Sequence, residues 1–330
     1  MPKILLIRFS SIGDILLTTP LIRCLKNQVE DVEIHFLTKE KFADILIENP
    51  NIDKLVLLKN DLGSCIAKLK KEKYDFIADL HNNLRSHRVR ISLQRPSRAF
   101  KKLNLQKWLL VNFKANYMPD KHIVERYLDT VINYGVKYDG CGLEIHLPEN
   151  QSFPDGIPRP EGQYAVLATG ALHHTKQIPV ALAAQIINGT DLPIYLVGGK
   201  DDTTRAEQIT ALCPGRTTNH CGKLSLLQSA EVVKNAALVI SPDSAIMHMA
   251  AAFNRNIISV WGNTVPDFGM KPLLPDNSQS LSFIAEVNTL NCRPCSKIGF
   301  SQCPKKHFDC MNQQNATEII QKIKEISDSR

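Results

Sequence analysis

Short runs of apolar, β-branched residues alternating with longer amphipathic stretches constrain this chain more than any other feature. Strands spaced that way cannot form hairpins; they are read as parallel strands joined by helical crossovers. "KILLIRF", "VEIHFLT", "KLVLL" and "FIADL" give the rhythm in the first half, and a helical stretch from Asp120 to Tyr134 closes it. "LPENQSFPDGIPRPEG", with four prolines, two glycines and no apolar periodicity, reads as a linker. The rhythm then restarts with "YAVLAT", "IYLVG", "TTNHCG", "ALVIS" and "IISVWG". The expected fold is α/β: two Rossmann-like, doubly wound domains facing across a cleft. Their expected bounds are 1–150 and 163–330, with a linker at 151–162. A terminal helix at about Thr317 to Ser327 suits either domain. The 330 residues exceed what one core usually serves, which agrees with two domains.

No apolar run approaches a membrane span, and the first residues lack the pattern of a secretory signal, so a cytoplasmic protein is expected. The net charge of +7 hides an asymmetry. From Leu80 to Pro119 there is no Asp or Glu, while Arg85, Arg88, Arg90, Arg95, Arg98, Lys101, Lys102, Lys107 and Lys114 are all cationic. Leu84, Leu93, Phe100, Leu103, Trp108, Leu109 and Leu110 interleave with them. That mixture suits an anionic amphiphile or a membrane surface, with nucleic acid as the competing partner and a plain solvated face as the simplest alternative.

In open parallel sheets, ligands bind beyond the carboxyl ends of the strands. The loops at that edge are Phe9 to Asp14, His81 to Arg85, Thr169 to Lys176, Gly198 to Asp202 and Ser241 to His248. Every unusual polar cluster of the chain falls in one of them, which points to an enzyme. Asp14 stands out as a carboxylate placed after a buried strand and beside a lone glycine, where it needs a partner or a task. "TGALHHTKQIP" carries Thr169, Gly170, Thr175 and Lys176: small residues for close backbone approach and a point cation for a phosphate. Its plainer reading is a capped helix with a solvated lysine. In "VISPDSAIMHMAAAF", Asp243 and Ser244 can cap a helix that runs through Ala245 and His248. The plainer reading there is an ordinary N-cap and a satisfied core histidine.

Several chemistries lose ground. "RFSSIGD" has one glycine where a dinucleotide fingerprint needs three, and "CGKLS" lacks the P-loop spacing. No D-x-D pair occurs, which disfavours metal-bridged transfer from a sugar nucleotide.

Three stretches together, "RFSSIGDILLTTPLIRCLK", "TGALHHTKQIP" and "SPDSAIMHMAAAFNRNIISVWGNTVP", resemble the ADP-heptose:lipopolysaccharide heptosyltransferases of glycosyltransferase family 9. "DLHNNLRS" and "HIVERYLDTVINYG" look like the family's intervening segments. The resemblance implies the GT-B fold, with an N-terminal acceptor domain and a C-terminal nucleotide-sugar domain. It implies inverting transfer without a catalytic cofactor, from ADP-heptose to a lipid A or inner-core acceptor. By that resemblance Asp14 is the general base and Lys176 stabilises the departing diphosphate. Ser10, Ser11, Gly13, His81, Arg85 and Arg88 face the acceptor side. Thr169, Gly170, Thr175, Gly199, Asp243, Ser244, Ala245 and His248 serve the donor, and Asp201 or Asp202 serves its ribose. Ala245 departs from the family, where many members have glycine. The basic block then holds an anionic glycolipid, and the protein sits peripherally on the cytoplasmic face of the inner membrane. Another nucleotide sugar or glycolipid on the same fold, and a non-catalytic nucleic-acid-binding protein, are the alternatives.

Nine cysteines in a cytosolic chain suggest thiols or a metal site before disulfides. Cys292, Cys295, Cys303 and Cys310 supply the ligand count of a structural zinc site, though not a standard finger spacing.

Overall fold

The computed structural model describes residues 1–154 and 162–328. The chain forms two compact units, one of Met1–Leu103 with Lys121–Pro148, the other of Asn104–Asp120 with Glu149–Arg330. The expected linker at 151–162 runs through 155–161, which lie outside the described residues.

The first unit holds five parallel strands: β1 (Lys3–Ile7), β2 (Glu33–Lys39), β3 (Lys54–Leu58), β4 (Phe76–Asp79) and β5 (Ser97–Ala99). Their order is β3-β2-β1-β4-β5, so the direction of winding reverses between β1 and β4. Leu5, Ile7, Leu37 and Ile77 are packed on one side with Cys65, Ile66 and Leu69 of the helix Leu62–Lys71. That helix is fixed at its start by Asp61, whose carboxylate accepts from the Gly63 and Ser64 amides at 2.8 and 2.9 Å. The stretch expected as one helix from Asp120 to Tyr134 is an α-helix over Ile123–Leu128 followed by a 3-10 helix over Asp129–Tyr134.

The second unit holds β6 (Ala165–Ala168), β7 (Ile194–Val197), β8 (Thr217–Asn219), β9 (Leu238–Pro242), β10 (Asn256–Trp261) and β11 (Ser282–Glu286), all parallel. The order β11-β10-β9-β6-β7-β8 reverses between β6 and β9, repeating the first unit's arrangement. The terminal helix, Ala316–Asp328, belongs to this unit: Ile319, Ile323 and Ile326 enter the core with Ile186 and Ile187 of the helix Val180–Asn188. The approach is close enough that a Cβ on Gly189 would lie 2.4 Å from Ile320.

Two features differ from the sequence reading. β5 and β11 were not expected, since "SRA" and "SFIAE" are short edge strands with little apolar contrast. The segment 104–120 leaves the first unit for the second, so a single boundary near residue 150 does not describe the chain. Its helix, Asn104–Phe113, buries Leu110 against Val265 and Phe268, with Val111 and Met118 alongside. The Lys114 ammonium closes the helix end by donating to the Val111, Cys292 and Pro294 carbonyls. Part of the basic block therefore lies on the second unit.

Candidate functional site

In the first unit the site forms where β1 and β4 part. Ser11 starts a short helix, Ile12–Leu16, and Asp14 occupies its first turn. One oxygen of that carboxylate, Oδ2, takes all the contacts: Arg8 Nη2 at 2.8 Å, the Ser11 hydroxyl at 2.8 Å and the Ser11 amide at 3.1 Å. Among the described residues Oδ1 has no hydrogen-bond partner, and the side chain is 21% exposed. Burial pushes the Asp14 carboxyl up, but the Arg8 guanidinium and the two Ser11 donors outweigh it and hold the pKa below the usual aspartate value. The group is an ionised carboxylate at neutral pH with one oxygen open.

Arg8 is a site residue that sequence reasoning missed. It is 7% exposed, donates from Nε to the Ser10 carbonyl at 2.8 Å and from Nη1 to the Leu80 carbonyl at 2.5 Å, and lies 6.0 and 5.9 Å from the Phe100 and Tyr127 ring centres. The usable clue was a cation at the end of an otherwise apolar strand, six residues before an acid. His81, from the loop after β4, packs edge-on against Phe9 with ring centres 5.2 Å apart. Burial foremost, with Arg8, Lys102 and Lys39 adding to it, pushes its pKa down to about 4, so the ring is neutral at pH 7. Among the described residues its Nδ1 is buried without a hydrogen-bond partner. Gly13 is buried within the short helix. Arg85 and Arg88 lie on the helix Leu84–Leu93, where they line a basic pocket with Lys39, Lys41 and Lys59.

In the second unit the loops after β6 and β9 meet. The Lys176 ammonium lies 2.6 Å from Asp243 Oδ2, and the Thr264 hydroxyl donates to the same oxygen at 2.9 Å. Asp243 is therefore not an N-cap. Ser244 occupies the cap position, but its hydroxyl is engaged with Ser241 at 2.9 Å and makes no cap bond. The first amides of the helix Ala245–Ala252 consequently have no side-chain cap and can face an anion. Thr264 was missed by sequence reasoning, because nothing in "WGNTVP" announces a partner for Asp243.

The other expected donor residues divide into open and committed ones. Gly170 needs to be glycine, since a Cβ there would lie 2.0 Å from Asp202 Oδ2. Asp202 accepts from the Gly199 amide at 2.8 Å and buttresses this loop, whereas Asp201 is exposed. Burial raises the Asp202 pKa. Thr169 is buried with its hydroxyl against Cys221 Sγ at 3.1 Å, and Thr175 is latched by its hydroxyl to the Phe300 amide at 2.8 Å. His248 is buried in the helix after β9, 2% exposed. Thr169, Thr175 and His248 thus shape the site from beneath.

Among the described residues no three His, Cys, Asp or Glu side chains gather to hold a metal ion. The zinc site expected from Cys292, Cys295, Cys303 and Cys310 is not assembled, and all four are free thiols. Cys310 opens a short helix packed in the second unit's core, where burial first, and then the neighbouring cysteines, push its thiol up to about 12.

Comparison with known proteins agrees with this geometry. Residues 63–299 match glycosyltransferase family 9 (heptosyltransferase). Lipopolysaccharide heptosyltransferase 1 of Campylobacter coli is 26% identical over 289 residues, covering 79% of this chain and 84% of that protein. A family 9 glycosyl transferase from Veillonella parvula superposes with a TM-score of 0.78 at 18% identity, covering 100% of this chain and 98% of the other. The Escherichia coli heptosyltransferase WaaC with ADP superposes with a TM-score of 0.65 at 19% identity, covering 98% and 99%. These structures share the fold, two parallel α/β sheets of the GT-B class. The matched stretch spans more than half of the sequence, which sets aside the non-catalytic nucleic-acid reading: the chain belongs to glycosyltransferase family 9, the heptosyltransferase family, and is an enzyme.

Proposed function

We propose that this chain transfers a heptose from ADP-heptose to a lipopolysaccharide core or lipid A type acceptor, with inversion and without a catalytic metal. The observation that carries the reading is Asp14: an ionised carboxylate with one oxygen fixed by three donors and the other open. Oδ1 removes the acceptor hydroxyl's proton as that oxygen attacks the anomeric carbon. The bond to the diphosphate breaks on the opposite face, and ADP departs with the electron pair. Lys176 and the uncapped amides at the start of Ala245–Ala252 stabilise the charge that develops on it, a role a bridging metal fills in other enzymes. Lys176 exchanges Asp243 for the diphosphate as the donor binds. Asp201, exposed beside the loop after β7, is the better ribose partner, because Asp202 is committed to Gly199.

The ADP seen with the E. coli enzyme, and the ADP-2-deoxy-2-fluoro heptose in a second structure of it, support the donor assignment. The acid-free basic stretch supports an anionic glycolipid at the cytoplasmic face of the inner membrane. Among the described residues no helix is long and apolar enough to cross a membrane, so the association is peripheral in this reading. Calorimetric titration with ADP, UDP, GDP and CMP, followed by transfer from ADP-heptose to a heptose-deficient glycolipid, tests the proposal. Selective ADP binding and transfer that is lost in Asp14→Asn are expected. Selective binding of another nucleotide would replace the donor, and transfer surviving in Asp14→Asn would remove the base.

A further inference from the structure

The turn after β10 brings Thr264 to Asp243, and its own side chains do not hold it in place. Among the described residues neither polar atom of the buried Asn263 amide has a hydrogen-bond partner. The turn is held through its backbone instead. Arg293 Nε donates to the Gly262 carbonyl at 2.6 Å, the Cys295 amide to the Asn263 carbonyl at 3.2 Å, and Arg293 Nη2 to the Thr264 carbonyl at 3.0 Å. Three consecutive carbonyls are thus pinned, two of them by one planar fork, a geometry that suits a guanidinium and not a point charge. Arg293 is itself fixed: its side chain is 5% exposed, and Glu286, Val287 and Asn288 take its remaining donors. Lys114 donates to the carbonyls of Cys292 and Pro294, the residues flanking Arg293.

The same segment continues to the other loop of the donor side. The Phe300 amide donates to the Thr175 hydroxyl at 2.8 Å and the Thr175 amide to the Phe300 carbonyl at 3.2 Å, one residue before Lys176. A Cβ on Gly262 would lie 2.8 Å from the Thr175 carbonyl oxygen, so the two loops also pass close to each other. Residues 293–300 therefore tie the loop of Lys176 to the turn of Thr264. Asp243 Oδ2 accepts from both Lys176 and Thr264, and its side chain is 11% exposed. When Lys176 turns to a diphosphate, this carboxylate, with little access to water, keeps the Thr264 hydroxyl as a donor. Without that hydroxyl it would be left unpaired, and the departure of Lys176 would cost more.

We infer that Arg293 is a positioning residue of the donor side: it holds the 262–264 turn so that Thr264 keeps Asp243 satisfied while Lys176 is released to the diphosphate. This role rests on the glycosyl-transfer reading above and adds the residue that sets how readily Lys176 is exchanged. It runs through Thr264, not through contact of Arg293 with sugar or nucleotide.

Calorimetric titration of the full chain with ADP and UDP tests this, the loss being read on whichever nucleotide binds. Thr264→Val keeps the shape of the side chain, removes the hydroxyl and should weaken binding about tenfold. Arg293→Lys keeps a cation opposite Glu286 but cannot span the Gly262 and Thr264 carbonyls, and it should weaken binding by about as much. The double variant should bind no more weakly than Thr264→Val alone, since both changes act on one contact. Losses that multiply in the double variant overturn the inference, as does wild-type affinity in Arg293→Lys whatever its melting temperature. Wild-type affinity in Thr264→Val overturns it even where Arg293→Lys does not fold. In transfer assays Arg293→Lys should raise the nucleotide-sugar KM at unchanged acceptor KM; a rise in both would make Arg293 a general support of the fold and overturn the positioning role. Lys176→Ala separates the readings. Weaker nucleotide binding there, beside unaltered binding in Arg293→Lys, removes the positioning role alone. Unaltered binding in Lys176→Ala removes the exchange and sinks the donor-side reading together with the inference.

Discussion

The two sheets wind in the same order about their first strands, yet the loops at their equivalent reversal points carry opposite charge. After β1 the proposed working group is an acid, Asp14; after β6 it is a cation, Lys176. The partners are also supplied differently. Arg8 spends its donors on Asp14, Ser10 and Leu80 and is enclosed by Phe100 and Tyr127, so no ligand can take it over. Among the described residues Lys176 has one ion-pair partner, Asp243 at 2.6 Å, and both members of that pair keep some exposure, so an incoming diphosphate can compete for it. In the proposed mechanism one fold thus serves a fixed base and an exchangeable counter-ion. A base needs a constant environment to keep its pKa, whereas a phosphate-binding cation needs a partner that it can leave.

The comparison breaks most sharply at Asp14. Replacing it by Asn keeps the shape and removes the base, and transfer should fall by about 10²- to 10⁴-fold with ADP affinity intact. Steady-state transfer and nucleotide titration on the same preparation check both halves. Lys176→Ala should have the next largest effect, on the order of 10²-fold in kcat/KM, with weaker ADP binding as well. Equal ADP affinity in that variant would place the diphosphate elsewhere. Arg8→Lys sharpens the contrast, because it keeps the charge but cannot make the fork to Asp14, Ser10 and Leu80. Asp14 should then titrate higher, so the acid limb of the kcat/KM profile should move to higher pH. A lower rate with an unmoved limb would mean that Arg8 acts only on the fold.

Much of this was legible in the sequence for physical reasons. Strands such as Phe76–Asp79 and Ala165–Ala168 are buried throughout, so their apolar runs stand out. β5 and β11 lie at sheet edges and carry weaker contrast. The passage of 104–120 into the second unit depends on Leu110 meeting Val265 and Phe268, more than 150 residues away, which no local pattern encodes. The same limit explains the site. Asp14 and Lys176 were visible because charged residues follow apolar strands. The partners that decide their behaviour, Arg8 and Thr264, were not, since Thr264 is distant in sequence and Arg8 read as part of its strand. Asp202 showed the opposite error: as an acid in a donor loop it looked available, yet it is held beneath Gly170 and bound to Gly199.

His81 gives the smallest effect and the one most specific to the first unit. Its folded pKa of about 4 lies below the ordinary histidine value of 6.5, chiefly through burial. Between those values the unfolded chain takes up a proton that the folded site refuses, so stability is complete above about pH 6.5 and declines on acidification toward pH 4. Asp14 does not confuse this window: its lowered pKa adds stability above the ordinary aspartate value, and that contribution is lost only at lower pH. His81→Gln removes the titrating ring, so urea unfolding at pH 7.5 and pH 5 should show a smaller loss of stability in the variant than in the wild type. Equal losses would mean that the ring accepts its proton in the folded protein without cost. The half-buried ring packed on Phe9 would then not be held neutral, and the charge around Asp14 would change with pH in this window.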